Sequence, residues 1–289
     1  MNRVLPFFII CCAFLFSCGE NVAVTIEPKL TSFEIKREGI ISQYIQNEVE
    51  YEGSKIVKIG NSNYYYNPEG RVIKEIQRIS QQSDPNYISG TPEFDLVYTY
   101  IYDHKNRLTE IKLSTDLSTH FIVPSSNYRF NIKYVYQGDM ISKIEYMYTF
   151  DLEGKKVVNY FFNGNKLDSV KVEENFKRAL QDRWNIGSKT NQKVKTYRIE
   201  QTNAPNHLRK IFSSLGFTPA IYSLTDFDIY NLTYAINSYS VIDSSSNQIN
   251  VYKYFLGSND LLERVEVQSK QEVVGSLRDF RIIASFKYE

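Results

Sequence analysis

Three histidines, three cysteines and a scatter of carboxylates are the side chains in this chain that could do chemistry. His104, His120 and His207 stand far apart, and no pair has the spacing a metal site needs. His104 falls in a turn and His207 early in a helical segment, so each reads as a surface residue rather than a ligand. Asp226-Phe227-Asp228 with Asn231 alternates like part of a calcium loop. The glycine and the distal glutamate of such a loop are missing, and alternating aspartates on the solvent side of a strand is the preferred reading. No GxSxG, GxGxxG or phosphate-cradling motif occurs. Paired carboxylates for glycoside hydrolysis are not marked by any local context. The sequence therefore assigns no catalytic residue, no metal ligand and no cofactor.

Cys18 is the exception, and its setting decides its chemistry. It follows Val4–Phe16, an uncharged apolar run with Arg3 ahead of it. A membrane span needs about 20 residues, whereas this run has the length of a secretory h-region. Leu15-Phe16-Ser17-Cys18 resembles the lipobox of bacterial lipoproteins. The resemblance implies that the Cys18 thiol becomes a diacylglyceryl thioether, with cleavage before it and a further acyl chain, such as palmitate, on the freed amine. Each buried methylene then contributes about 0.8 kcal/mol to anchoring. Cys11 and Cys12 lie in the discarded leader, so no internal disulfide is available. Gly19 stands where the family's inner-membrane retention signal would be aspartate, which implies an outer-membrane destination. The expected organisation is a signal peptide over 1–17, a lipidated tether over 18–30 and a β-rich domain over 31–289.

The near-neutral balance, a formal net charge of +1, excludes the basic field of a nucleic-acid binder. What positions the remaining side chains is a recurring phrase. Asn67-Pro68-Glu69-Gly70, Asp103-His104-Lys105-Asn106 and Asp151-Leu152-Glu153-Gly154 each place an Asx residue three positions before Gly or Asn. Asx accepts backbone hydrogen bonds within the turn, and Gly or Asn tolerates positive φ. Shorter turns centre on Gly53, Gly138 and Gly164, and a looser copy runs Phe255 to Asp260. Aromatic residues stand at alternate positions before most turns: Tyr64 and Tyr66; Tyr98, Tyr100 and Tyr102; Tyr134 and Tyr136; Tyr160 and Phe162; Tyr252 and Tyr254. Aliphatic residues alternating with Lys and Glu follow, as in Leu108, Ile111 and Leu113. Alternation puts each set on one face of a strand, and the phrase reads as a β-hairpin.

Tyr102-Asp103-His104-Lys105-Asn106-Arg107-Leu108 resembles the YD repeat of secreted bacterial proteins, and Tyr66–Val72 matches it with Asn67 for Asp. With the lipobox, the chain is similar to a group of Gram-negative lipoproteins built of such hairpins around a helical insert. That resemblance implies a β architecture and carries no catalytic residues.

The expected fold is mainly β: an antiparallel meander of successive hairpins over 31–172, curled or rolled into an open barrel. A short helical insert around 174–216 and return strands follow. Phe176, Leu180 and Trp184 have helical spacing, and so do Leu208, Ile211, Phe212 and Leu215, with Pro205 in the first turn and Gly216 at the stop. Function is expected to be binding rather than catalysis. An aromatic surface of Tyr64, Tyr65, Tyr66 and Tyr100 is the candidate for a protein or glycan partner. Cross-strand packing is the competing explanation of the same tyrosines. A glycan-directed hydrolase with paired carboxylates in a cleft, and a structural assembly subunit, are the alternatives.

Overall fold

The hairpins close on themselves. In the computed structural model, sixteen antiparallel strands run in sequence order around a barrel, and the last pairs with the first. The described residues are 28–38, 43–80, 93–114, 131–148, 152–178, 191–212, 215, 217, 227–229, 232–242, 248–257, 260–273 and 276–289. Cys18, the signal peptide, most of the tether, His120 and Trp184 lie outside them. The strands are β1 (Leu30–Glu38), β2 (Gln43–Glu52), β3 (Lys55–Ile59), β4 (Ser62–Tyr66), β5 (Val72–Ile79), β6 (Phe94–Tyr102), β7 (Leu108–Leu113) and β8 (Asn131–Gln137). They continue as β9 (Met140–Tyr148), β10 (Leu152–Asn163), β11 (Lys166–Arg178), β12 (Asn191–Pro205), β13 (Tyr234–Val241), β14 (Gln248–Leu256), β15 (Leu262–Val273) and β16 (Ser276–Tyr288). The meander expectation holds. The barrel is closed rather than open, because β1 and β16 pair from Leu30↔Tyr288 to Glu38↔Arg281. Residues 29 and 289 add two reciprocal backbone hydrogen bonds of 2.8 and 2.9 Å.

The turn chemistry explains the recurring phrase. Gly70 (φ 81°) and Asn106 (φ 63°) adopt the left-handed conformation that Gly tolerates best and Asn next. The Asn67 side chain accepts from the Arg71 N–H at 2.8 Å, and Asp103 accepts from the Lys105 and Arg107 N–H groups at 2.9 Å. These turns all fall at one end of the barrel, called here the turn end.

Several neighbouring strands are stitched together at that end by a tyrosine at the end of the incoming strand. Tyr102 Oη donates to the Val72 carbonyl and Tyr136 Oη to the Leu108 carbonyl, both at 2.8 Å. Tyr66 does the same to Ile56 at 2.5 Å and Tyr288 to Leu262 at 2.9 Å. Each acceptor is the first aliphatic residue of an earlier hairpin's outgoing strand. The basic residue just before that aliphatic residue stacks on the same ring: Arg71 lies 5.6 Å from the centre of Tyr102, and Arg107 4.5 Å from Tyr136. Burial of these phenols pushes Tyr102 and Tyr136 up to about 12, so they remain donors across the ordinary pH range.

Three expectations are corrected. Glu174–Arg178 continues β11 instead of forming a helix: Phe176 pairs with Gly154 on one side and Asn191 on the other. The ladder supplies those backbone groups with partners on both sides, and this outweighs helical spacing at Phe176. Gly154 itself lies within β10, not in a turn. The second helical segment shrinks to α1, His207–Ile211, with Pro205 ending β12. Asn206 caps α1, its Oδ1 accepting from the Leu208 N–H at 3.2 Å, as N-cap residues do.

The chain between β12 and β13 does not cross the surface. Its described residues fold into the barrel and plug part of it. A sixteen-stranded barrel otherwise encloses an aqueous channel. Here Leu208, Ile211, Phe212, Leu215, Phe217, Phe227, Ile229 and Leu232 are all buried in one core with the inward faces of the strands. Phe212 meets Phe33 of β1 at 6.0 Å, Phe217 meets Tyr100 of β6 at 4.6 Å, and Phe227 meets Tyr197 of β12 at 5.2 Å. The Tyr160 hydroxyl of β10 both accepts from the Asp228 N–H and donates to the Asp228 carbonyl, at 3.1 and 3.2 Å. Asp228 is therefore part of this plug, and the strand expected over Asp226–Asp228 is absent among the described residues.

Candidate functional site

The direction of each side chain follows from period two. Inward faces at the turn end carry Val170, Tyr197, Val265 and Ile56, each 2% exposed or less. The outward faces are charged and cross-linked by ion pairs. Lys143 and Lys155 flank Glu145 at 3.0 and 3.1 Å. Lys171 meets Glu173 at 2.7 Å, and Arg281 and Arg264 hold Glu266 at 2.6 and 3.2 Å. Hydrogen bonding to Arg281 keeps the Glu266 carboxyl below its usual range. Lipid-facing strands carry the opposite pattern, apolar outside and polar inside. A single Lys or Arg at the bilayer midplane costs about 2–4 kcal/mol. The outward faces of β9–β11, β15 and β16 therefore suit water, whereas Ile249 and Val251 of β14 are exposed apolar residues.

The four tyrosines proposed from sequence as one surface separate by the same rule. Tyr64 and Tyr100 point into the barrel and pack on Phe217. Tyr66 is half-buried in the turn-end stitching. Tyr65 alone faces out, 46% exposed, with Lys74 5.4 Å above its ring. Inside, Tyr100 donates to the carboxyl of Glu75 at 2.5 Å. Burial raises the Glu75 pKa above the ordinary carboxylate value, and the Tyr100 hydrogen bond opposes that rise only in part. Glu75 is an inward-facing, half-buried carboxyl held by Tyr100. No group of three metal-ligating side chains occurs among the described residues.

The inward face changes character along β9–β12. The rung Tyr160–Val170–Tyr197–Val241 is apolar and buried. Two residues toward the other end, here the loop end, the rung is Ile144–Val158–Val172–Lys195. Two residues further it becomes Tyr146–Lys156–Glu174–Lys193. Beyond it, Tyr148 pairs with Gly154. Each step is about 6.7 Å, so the lining passes from core to charge within roughly 13 Å. Lys156 keeps only 13% of its side chain exposed, stands 3.8 Å from Glu174, and has its ammonium 5.8 Å from the Tyr146 ring centre. Lys193 is exposed and Lys195 half-buried.

No protein-family model matches the chain. Among curated proteins, it is 26% identical over 121 residues to the DNA-directed RNA polymerase subunit beta' of Oedogonium cardiacum. That match covers 40% of the chain, and the chain spans about 6% of that relative's length. Among solved structures, the chain is similar to a porin-like protein from Bacteroides vulgatus, with 15% identity, TM-score 0.47, and coverage of 91% of this chain and 99% of that one. It is also similar to a porin-like protein from Bacteroides uniformis, with 10% identity, TM-score 0.39, and coverage of 90% and 98%. The functional reading rests on the barrel's own faces.

The sequence held a signal for the loop-end cluster that hairpin reading passed over. In "KVKTYRIE", Lys193 and Lys195 are in phase with Tyr197 and Ile199; in "KVVNYFF", Lys156 is in phase with Val158, Tyr160 and Phe162. Lysines that share the parity of core residues face inward.

Proposed function

We propose that this chain is a lipid-anchored envelope protein, held at the outer membrane through Cys18, whose barrel stands in water and acts as a non-enzymatic binding module. The ion-paired outward faces of β9–β11, β15 and β16 carry this reading, because charge there disfavours lipid contact along those strands. The plugged turn end supports it, since a filled lumen suits neither conduction nor transport. β1 begins at the turn end, where Leu30 pairs with Tyr288. A tether from Cys18 to Lys29 spans at most about 40 Å, so the turn end lies toward the bilayer and the loop end faces a partner.

Two measurements test it. Cys18→Ser should move the protein from the membrane to the soluble fraction with its β-rich circular dichroism unchanged. The purified protein should add no conductance to a planar bilayer. Stable unitary conductance, or a Cys18→Ser protein that still carries lipid label and still sediments with membranes, would overturn the proposal.

A further inference from the structure

We propose that the segment between β12 and β13 is a latched plug: a unit that opens separately from the sixteen-stranded shell, with Asn206 as its latch. The shell's ladder is complete without it. Among the described residues the segment adds no strand to the wall. Its two ends leave the wall side by side, because Pro205 and Tyr234 are ladder partners. That is the separation a tight hairpin turn bridges. Gln201 closes the irregular stretch of ladder next to them. Its amide donates to the Tyr234 carbonyl at 2.8 Å, and its side-chain oxygen accepts from the Leu167 N–H at 2.6 Å. Closure of the barrel therefore does not run through the plug.

The plug in turn bonds to itself. Asn206 is buried and ties its two arms together. On one arm the side-chain amide donates to the Ile229 and Leu232 carbonyls at 2.8 and 3.1 Å, and the backbone N–H donates to the Thr233 carbonyl at 3.1 Å. On the other, Oδ1 caps α1 at Leu208, and the Asn206 carbonyl accepts from the Arg209 N–H at 3.1 Å. Further in, the Leu215 N–H donates to Phe212 and the Leu232 N–H to Ile229. Side chains make the contacts with the wall: Phe212 on Phe33, Phe217 on Tyr64 and Tyr100, Phe227 on Tyr197, and the Tyr160 hydroxyl on Asp228. An element with internal backbone bonds can open as one cooperative piece while the ladder around it stays closed. Phe33, Tyr64, Tyr100 and Tyr197 are buried while the plug is seated, so opening controls access to the aromatic interior. Asn206 governs that step, since losing its amide leaves two buried carbonyls without their donor.

The test is hydrogen exchange of the full-length protein in a neutral detergent, read by mass spectrometry. Amides of residues 207–212 and 227–229 should exchange roughly tenfold or more faster than those of β15 and β16. Asn206→Asp keeps an acceptor for the α1 cap but offers no donor to Ile229 and Leu232. It should speed exchange of the plug by roughly a further tenfold, and change β15 and β16 by less than about twofold. Asn206→Ala should act in the same direction. Tyr160→Phe removes the hydroxyl from Asp228 and leaves the neck intact, so it should speed the plug less than either. One common exchange rate for plug and wall in the unaltered protein would overturn the proposal, because the plug would then open only with the whole barrel. Unchanged plug exchange in Asn206→Asp, equal acceleration of β15 and β16, or failure of both Asn206 variants to fold would overturn it as well. The fractionation and conductance outcomes do not depend on these results, so the two readings fail separately.

Discussion

At the turn end, the barrel interior is a packed core in which every inward tyrosine hydroxyl with an assigned role is spent on structure: Tyr66, Tyr102, Tyr136 and Tyr288 on strand carbonyls, Tyr160 on the plug backbone. At the loop end of β9–β12, the same strands turn lysine and glutamate inward. The two regions share one backbone ladder and one side-chain parity. The difference is what fills the space between the walls. Where the β12–β13 segment enters, burial selects apolar residues, at about 25 cal/mol for each Å² removed from water. Beyond the described part of the plug the inward positions are charged, with Lys156 beside Glu174. The comparison teaches that inward is not the same as buried in a barrel this wide.

The sharpest way to break this contrast is to empty the plugged half. Phe217→Ala removes the ring that packs on both Tyr64 and Tyr100. It should destabilise the fold by about 3–5 kcal/mol in urea unfolding. A loss below about 1 kcal/mol would show that the plug is not part of the core.

Glu75 tests the same half through pH. Its folded pKa is raised by burial, so the folded state holds the proton more tightly than the unfolded chain. The stabilising contribution is complete below the ordinary glutamate pKa and is lost as pH rises toward the raised folded value. Stability should fall across that window with a slope of at most about 1.4 kcal/mol per pH unit from this group. Glu75→Gln should flatten the profile, and melting curves that retain their slope in the variant would refute the assignment.

Tyr102→Phe isolates the stitching between hairpins. It keeps the ring under Arg71 and removes the hydroxyl from the Val72 carbonyl. A loss of about 1 kcal/mol is expected, visible as a lowered midpoint with an unchanged denaturant slope. The smallest effect belongs to the loop end: Lys193→Gln should change stability by no more than about 0.5 kcal/mol. A larger loss would mean that this lysine is structural, and the division between the two halves would blur.

Much of the shell was legible from local chemistry. Gly70 and Asn106 needed positive φ, Asn67 and Asp103 needed backbone donors, and both requirements are visible in four residues of sequence. Closure was not legible, because the pairing of Phe33 with Phe286 leaves no local trace. Helical spacing at Phe176 misled for a related reason. A ladder contributed by β10 and β12 decided that segment, and helical spacing within the segment carries no trace of it. The tyrosines were legible as strand formers but not by direction. Tyr64 and Tyr100 look alike whether they meet a ligand or Phe217, and Phe217 belongs to a segment over 100 residues away. The loop-end lysines had a readable phase, but lysine on a strand is read as solvent-facing by default, and only the register set by Val172 and Tyr197 shows otherwise.

Joining the first strand to the last also dictates an order of events in biogenesis. Thr31 Oγ1 donates to the Lys287 carbonyl across a separation of 256 residues. Until the final residues have emerged, β1 presents an unsatisfied edge, which is a template for pairing with the wrong chain. Contacts this distant in sequence also form slowly. The chain must therefore be kept from premature association until β16 has docked on β1.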